Sequence, residues 1–158
     1  MVTSTPALEA LDKLETQYEV VRTEPASSAE ESAAFQGVAP GQLLKTIVVR
    51  KGESDYVFVL VPADRTIDWK KLRQRLRVSR AALPEREEAE RVTGYKPGTI
   101  TPFGSRGSFP VVIDHSARSL DLVALGGGAP GVNVHIRPGH LPELLDADFA
   151  DVTKLSGG

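Results

Sequence analysis

The stretch TGYKPGTITPFG, residues 93–104, contains three glycines, two prolines and two aromatic residues. Proline lacks a backbone N–H donor and glycine disfavours helical backbone, so this stretch cannot lie inside a helix. We therefore predict a tight, shaped loop. Its frame, Gly98 to Pro102, predicts a backbone corner whose N–H groups turn toward a ligand. No side chain in the stretch is an obvious nucleophile, which indicates chemistry done by main-chain dipoles and by the substrate itself.

The segments around this loop predict short helices and strands. Helices are predicted over residues 6–18, 28–35, 68–76, 85–92 and 138–145, and strands over 18–22, 43–50, 56–61, 111–113, 120–125 and 132–136. Ser28 and Glu31 have the spacing of a capping box, and Asp68 is the expected N-cap of the third helix. Strands 43–50 and 56–61 are expected to pair as a hairpin. Because helices come early and strands dominate late, we predict an α+β fold without regular βαβ winding.

Composition limits the class of protein. At 158 residues and 17.0 kDa, with 41% apolar residues, the chain fits one domain spanning residues 1–158. No apolar run approaches the ~20 residues of a membrane span, so no membrane partner is expected. The absence of cysteine excludes disulfides, cysteine-ligated zinc and thiol nucleophiles. Residues 1–6 lack the basic and apolar regions of a signal peptide, which favours a cytoplasmic location.

The charge pattern is locally uneven. The net charge of −2 and the pI near 5.9 are not typical of a protein that coats nucleic acid, and no DNA partner is expected. Six basic residues nevertheless lie close together, followed at once by four glutamates: Lys70, Lys71, Arg73, Arg75, Arg77 and Arg80, then Glu85, Glu87, Glu88 and Glu90. Two interpretations stay open, solvated helix faces or a basic patch that steers a polyanion.

Lys45 interrupts an apolar strand. Alternation places it on the same face as Leu43, Ile47 and Val49. If that face points inward, the ammonium group lines a cleft or meets an anion, because burying it alone is costly. The alternative is an edge-strand lysine that faces water.

A second glycine-rich corner spans residues 126–131, GGGAPG. It formally matches the dinucleotide-binding pattern G-x-G-x-x-G, but that site needs a helix directly after the glycines. Here Pro130 lies inside the pattern and the strand 132–136 follows, so we reject a dinucleotide site. The corner is either structural or a place where a ligand approaches the main chain closely.

The remaining polar residues indicate neither a metal nor a catalytic triad. The three histidines, His115, His135 and His140, lack metal-ligand spacing. Asp114, His115 and Ser116 are adjacent, so they cannot form the hydrogen-bonded chain of a triad. Paired carboxylates for glycoside hydrolysis are not discernible. His135 faces either a pocket or the surface. No cofactor is predicted.

Three of these features together resemble the YbaK/ProX family, free-standing relatives of the editing domain of bacterial prolyl-tRNA synthetase. They are Lys45 in Leu-Leu-Lys-Thr, the loop 93–104, and the corner 127–131. Residues 144–152 also resemble that family's C-terminal helix and tail. The resemblance covers about residues 28–154 and implies a mixed β-sheet curled toward a barrel, with helices around it.

The resemblance implies an aminoacyl-tRNA deacylase, a hydrolase that cleaves the ester of mischarged tRNA. Lys45, Gly98 and Pro102 match the family's catalytic elements: the lysine helps to fix the tRNA 3′ end, and main-chain N–H groups hold the scissile carbonyl. The expected substrate contacts are Tyr95, Thr99, Ile100, Thr101, Phe103, Gly104, Gly126, Gly127, Gly128, Gly131, Asn133 and His135. The attacking water is then activated by the substrate's ribose 2′-hydroxyl. A synthetase partner is also conceivable.

The chain departs from some family members at two positions. Gly126 stands where they carry Ser, and Asn133 where they carry Asp. The amino acid removed is therefore open among Ala, Cys, Pro, Ser and Thr, because a pocket discriminates one methylene by only ~1–3 kcal/mol. Two other hypotheses remain: a non-catalytic module that binds a nucleotide or the tRNA acceptor end, and a general small-ester hydrolase.

Overall fold

A computed structural model describes residues 4–156, so part of the N-terminal segment used for the signal-peptide expectation lies outside the described residues. The helices are α1 (Pro6–Lys13), α2 (Ala29–Gln36), α3 (Trp69–Leu76), α4 (Arg86–Thr93) and α5 (Leu141–Leu145). The strands are β1 (Glu19–Arg22), β2 (Leu44–Arg50), β3 (Tyr56–Pro62), β4 (Arg65–Ile67), β5 (Val111–Asp114), β6 (Val123–Gly126), β7 (Val132–Ile136), β8 (Ala147–Ala150) and β9 (Thr153–Leu155).

The strands form three sheets within the described residues. One has the order β1-β7-β6 and is antiparallel, one has the order β2-β3-β5-β8 and is mixed, and β4 pairs with β9. A single parallel bridge between Leu43 and Ala124 joins the first two sheets. The α+β class and the hairpin of β2 with β3 are confirmed, and the sheets curl together without forming a closed barrel. The single domain over residues 1–158 stays a prediction.

The two joined sheets bury both faces. The first face carries Leu44 and Val48 of β2 and packs against α1, α4, α5 and the loop 93–104. The second face carries Val49 of β2 and packs against α3 and β4. A small cluster around Leu43 and Ala124 extends the second face beneath α2. Strand alternation assigns Lys45 to the second face, as the sequence predicts.

The ends of the helices follow their capping residues. The side chain of Asp68 accepts a hydrogen bond from the N–H of Lys71, as expected for an N-cap. Ser28 caps α2 in the same way, but the carboxylate of Glu31 accepts from Ser27 rather than from the Ser28 N–H. The predicted capping box is therefore only half correct. Gly94 ends α4 with a φ of 81°, which glycine adopts without strain.

Several predicted boundaries are wrong. The first helix ends at Lys13, and the strand predicted from residue 120 begins at Val123. The helix predicted over 138–145 is a 3-10 turn at residues 138–140 followed by the short α5. Strands β4, β8 and β9 were not predicted at all, because each is short and gains its hydrogen bonds only from distant partners. Among the described residues, no helix is long and apolar enough to span a membrane.

Candidate functional site

One row of residues crosses the second face of the sheet at Gly126. Gly126 pairs with Asn133 on β7, and Asn133 pairs with Val21 on β1. The parallel bridge of Leu43 with Ala124, continued by two residues on each strand, places Lys45 level with Gly126. Topology therefore brings Lys45, Gly126 and Asn133 into neighbouring positions on one face, although they lie far apart in the sequence.

The bend of the loop 93–104 approaches the same row. A side chain at position 126 would lie 3.8 Å from the carbonyl oxygen of Ile100 and 4.0 Å from that of Thr99. Gly98 has a φ of 86°, in the left-handed region where glycine is favoured, and no atom would contact a Cβ there. The predicted backbone corner is thus present, and it lies beside Gly126.

Several N–H groups of this bend have no acceptor. Thr99 donates its N–H to the carbonyl of Lys96, which closes a turn. The N–H groups of Gly98, Ile100 and Thr101 donate to no acceptor within residues 4–156. Thr101 is fully buried. Because buried backbone donors are nearly always paired, the N–H of Thr101 suits the carbonyl oxygen of a ligand.

The ammonium group of Lys45 has no ion pair or hydrogen bond to any residue between 4 and 156. Its side chain is half-buried, between the cluster under α2 and the cluster under α3. A partly desolvated ammonium group without a partner is suited to an anionic ligand.

Other residues of the loop hold it in place. The Tyr95 hydroxyl is buried and donates to the carbonyl of Phe103 at 2.6 Å, and burial raises the pKa of Tyr95 to about 12. Phe103 itself lies in the core on the first face. A Cβ at Gly104 would lie 2.4 Å from the carbonyl oxygen of Pro6, so the loop sits directly on the start of α1. These expected substrate contacts stabilise the loop from the core side.

The corner 126–131 is similarly tight. A Cβ at Gly131 would lie 2.3 Å from the carbonyl oxygen of Thr23, and one at Gly128 would lie 2.9 Å from the Tyr95 ring. The N–H of Gly127 donates to the carbonyl of Val132 at 2.7 Å, which closes the turn into β7. Close backbone packing therefore accounts for the glycines of this corner beyond Gly126.

Two cavities lie away from the Lys45 row. One of about 350 Å³ is lined by Pro102, Gly104 and residues of α5. The other, of about 680 Å³, lies at the far end of β2. Neither is lined by Lys45 or Gly98, so a cavity that these two residues share stays a prediction.

His135 is buried beneath α2. Its Nε2 lies 2.9 Å from the Oε1 of Gln36, and it pairs across the sheet with Ala124 and Glu19. The sequence offered no sign that Gln36 covers this histidine, because α2 and β7 are nearly 100 residues apart. Burial lowers the pKa of His135, and the nearby Glu19 carboxylate opposes this by raising it.

This burial predicts a loss of stability in acid. A histidine in an unfolded chain has a pKa of about 6.5. Because the folded pKa of His135 is lower, the unfolded chain binds more protons below that pH, and stability falls as the pH falls through the folded pKa. We expect the melting temperature of the His135→Gln variant, measured from pH 8 to pH 5, to fall less than that of the wild type. Parallel curves for the two proteins would contradict the prediction.

The Asp114-His115-Ser116 turn is structural. Ser116 donates to the Asp114 carboxylate through both its N–H and its hydroxyl, so the serine hydroxyl does not reach His115. The second carboxylate oxygen accepts from the N–H of Val152, and the Nε of Arg65 lies 3.7 Å from the oxygen that Ser116 contacts. Burial raises the pKa of Asp114, but the hydrogen bonds outweigh it and the pKa is lowered overall. His115 and Asp151 lie close enough to share a metal with Asp114, yet both oxygens of that buried carboxylate already have partners.

Comparisons with known proteins identify a family and relatives that share the fold. Residues 23–144 match the family model of the aminoacyl-tRNA editing domain. The chain is 26% identical over 137 residues to an Enterococcus faecalis protein that carries the name Cys-tRNA(Pro)/Cys-tRNA(Cys) deacylase EbsC; the match covers 87% of this chain and 84% of that protein. It is 27% identical over 140 residues to the proline–tRNA ligase of Caldicellulosiruptor saccharolyticus, covering 89% of this chain but only 24% of the ligase.

Solved structures share the fold. One described as a trans-editing enzyme for prolyl tRNA synthetase superimposes with a TM-score of 0.86 at 26% identity, covering 97% of this chain and 99% of that one. The hypothetical protein APE2540 superimposes with a TM-score of 0.88 at 22% identity, covering 95% and 100% of the two chains. The second likeness shows the fold alone.

Proposed function

This chain belongs to the aminoacyl-tRNA editing domain family, and we propose that it hydrolyses the ester bond between tRNA and a wrongly attached amino acid at the row formed by Lys45, Gly126 and Asn133. The observation that supports this site is the register of β2 against β6, which places the unpaired Lys45 level with Gly126. The bend at Thr99 and Ile100 lies against Gly126 as well. The Lys45 strand and the bend thus both lie beside Gly126, and the same bend contains the N–H groups of Gly98, Ile100 and Thr101, which have no acceptor among residues 4–156.

The proposed reaction depends on hydrogen-bond donors that stabilise the carbonyl oxygen, and it does not require a nucleophilic side chain. Water attacks the ester carbonyl, the carbonyl oxygen becomes negative, and the bond to the ribose oxygen then breaks and that oxygen takes a proton. The free N–H groups of Gly98, Ile100 and Thr101 are the candidate partners for the negative oxygen. A preorganised donor of this kind contributes about 3 kcal/mol to transition-state stabilisation.

Lys45 is the candidate partner of the terminal nucleotide. Its ammonium group is a compact charge that suits a phosphate oxygen, and no residue between 4 and 156 occupies it. Holding the phosphate would orient the ribose and its ester against the bend, and such positioning supplies much of an enzyme's rate. The neighbouring ribose hydroxyl is proposed to accept a proton from the attacking water as it passes its own proton to the leaving ribose oxygen.

The amino acid side chain is proposed to lie over Gly126. A side chain there would reach the Thr99 and Ile100 carbonyls within ordinary contact distance, so the glycine leaves room for a ligand. Asn133 lies beside Gly126, is nearly buried, and donates its side-chain N–H to the Val21 carbonyl. Its fixed side chain limits the space over Gly126. This favours a small side chain, within the range Ala, Cys, Pro, Ser or Thr.

The proposed partner is the 3′ end of mischarged tRNA, with a synthetase as a further candidate. The ligases matched are about four times as long as the aligned region, so this chain corresponds to one module of them. Without the rest of a ligase, such a module must bind the mischarged tRNA either after a synthetase has released that tRNA or while the tRNA is still bound to the synthetase. We also propose a cytoplasmic location, because tRNA is charged in the cytoplasm.

A deacylation panel tests the function. The protein is incubated with tRNAs charged with each of the five small amino acids, and release of labelled amino acid is measured. We expect hydrolysis of at least one mischarged tRNA at a rate well above the spontaneous rate. Binding without turnover would support a non-catalytic module instead. Equal turnover of free amino acid esters would support a general ester hydrolase.

A further inference from the structure

A cleft of about 680 Å³ at the far end of β2 is rich in arginine. Its lining includes Arg50, Arg73 and Arg80, with Glu53 as the acidic member, and the remainder is Gly52, Ser79, Ala81 and Ala82. Three positive charges against one negative charge make the cleft basic in a chain whose net charge is −2. The function proposed above leaves this cleft without a role.

Backbone pairing builds the cleft. The N–H of Arg50 donates to the carbonyl of Ala82 at 2.8 Å, and the N–H of Ala82 donates back to Arg50 at 3.1 Å. This pair of backbone hydrogen bonds holds the segment after α3 against the end of β2. It brings Arg80 of that segment and Arg73 of α3 to the side chain of Arg50.

The structure divides the basic segment seen in the sequence into paired and unpaired cations. Lys71 and Arg75 form ion pairs with Asp151 and Asp148, each at 3.0 Å. The guanidinium groups of Arg73 and Arg80 have neither an ion pair nor a hydrogen bond to any described residue, 4 to 156. Both cations of this segment that line the cleft are therefore available to a ligand.

Arg50 is shared between the cleft and a neighbouring carboxylate. Its guanidinium donates to both oxygens of Glu88, at 3.2 and 3.3 Å, which also accepts from the Tyr56 hydroxyl. This network orients Arg50 while its side chain stays 42% exposed. A guanidinium held in this way still has free N–H donors for a second anion.

We propose that this arginine cleft binds a phosphodiester of the tRNA backbone upstream of the terminal nucleotide. The inference rests on the proposed function, because it takes the 3′ ribose to lie at Lys45. Strand β2 connects the two sites: five residues separate Lys45 from Arg50, which is roughly 17 Å of extended strand. A few nucleotides of single-stranded 3′ end span that distance. A guanidinium group can donate two parallel hydrogen bonds to two oxygens of one phosphate. Such contacts to the backbone do not depend on the nucleotide sequence.

Binding of uncharged tRNA to charge-neutral variants tests the cleft. The double variant Arg73→Gln/Arg80→Gln removes the two unpaired cations that line the cleft, and Lys71→Gln/Arg75→Gln removes the same charge from the paired positions of the same segment. Fluorescence anisotropy over a salt series gives the Kd and its salt dependence. We expect the cleft variant to bind about tenfold more weakly and its log–log salt slope to be shallower by about two. The control is expected to change the Kd less than twofold.

The outcomes separate this inference from the proposed function. If the wild type binds tRNA and the two double variants bind it equally weakly, or both bind it as tightly as the wild type, the cleft is not the phosphate site. If the wild type binds tRNA but deacylates no member of the panel, the proposed function fails while the binding comparison still decides the cleft. No tRNA binding by the wild type overturns both. Equal melting temperatures of the two double variants exclude a folding defect as the cause of any difference.

Discussion

Replacing Lys45 with alanine is expected to lower kcat/KM for deacylation by about 100-fold. Loss of one charged partner from a desolvated pair typically costs ~3 kcal/mol, and each 1.4 kcal/mol is a tenfold change. Because the ammonium group of Lys45 has no ion pair or hydrogen bond within residues 4–156, the folded state loses little when it is removed. The measurement is the rate of amino acid release from the best member of the panel, at substrate concentrations well below KM.

The Lys45 experiment needs a control with the same change of charge. Lys70 is exposed on α3 and does not line the arginine cleft, so Lys70→Ala should keep the wild-type rate within twofold. Lys45→Arg keeps the charge but alters its shape, and we expect only partial activity. Full activity of Lys45→Ala, with unchanged stability, would contradict the placement of the site on this row of the sheet.

Replacing Gly104 with alanine is expected to destabilise the fold by about 3 kcal/mol, through left-handed backbone strain and steric overlap. The φ of Gly104 is 66°, and its Cβ would lie 2.4 Å from the Pro6 carbonyl oxygen and 2.9 Å from the Ala7 nitrogen. These are backbone atoms at the start of α1, so they cannot rotate away. For a chain of this length the melting temperature should fall by about 10 °C.

A second glycine separates the two causes. Gly37 ends α2 with a similar φ of 72°, but no atom lies within 4 Å of its Cβ position. Gly37→Ala therefore carries the backbone strain without the overlap and should cost only ~1 kcal/mol. Thermal unfolding of both variants is the measurement. Equal losses for Gly104→Ala and Gly37→Ala would show that the loop does not press on α1 as described.

Lys45 and the basic segment show which features follow from local patterns and which depend on distant residues. Alternation alone assigned Lys45 to the face of Val49, because side chains in a strand point to opposite sides in turn. No local pattern could show that this face meets Gly126, since that depends on a bridge between residues 43 and 124. In the basic segment, helix spacing could not tell Arg73 from Arg75, whose partner Asp148 lies on β8.

The sequence by itself determined the local character of the chain. It set the bend of the loop 93–104, the N-cap at Asp68, the hairpin of β2 with β3 and the absence of thiol chemistry. Each follows from backbone sterics or from hydrogen bonds between residues close in the chain. Only the tertiary structure decided the parallel pairing of β5 with β3 and β8, the neighbours of Lys45 and the choice of which arginines stay unpaired. Such pairings depend on which apolar faces meet after the chain has closed long loops, and no short-range pattern encodes that choice.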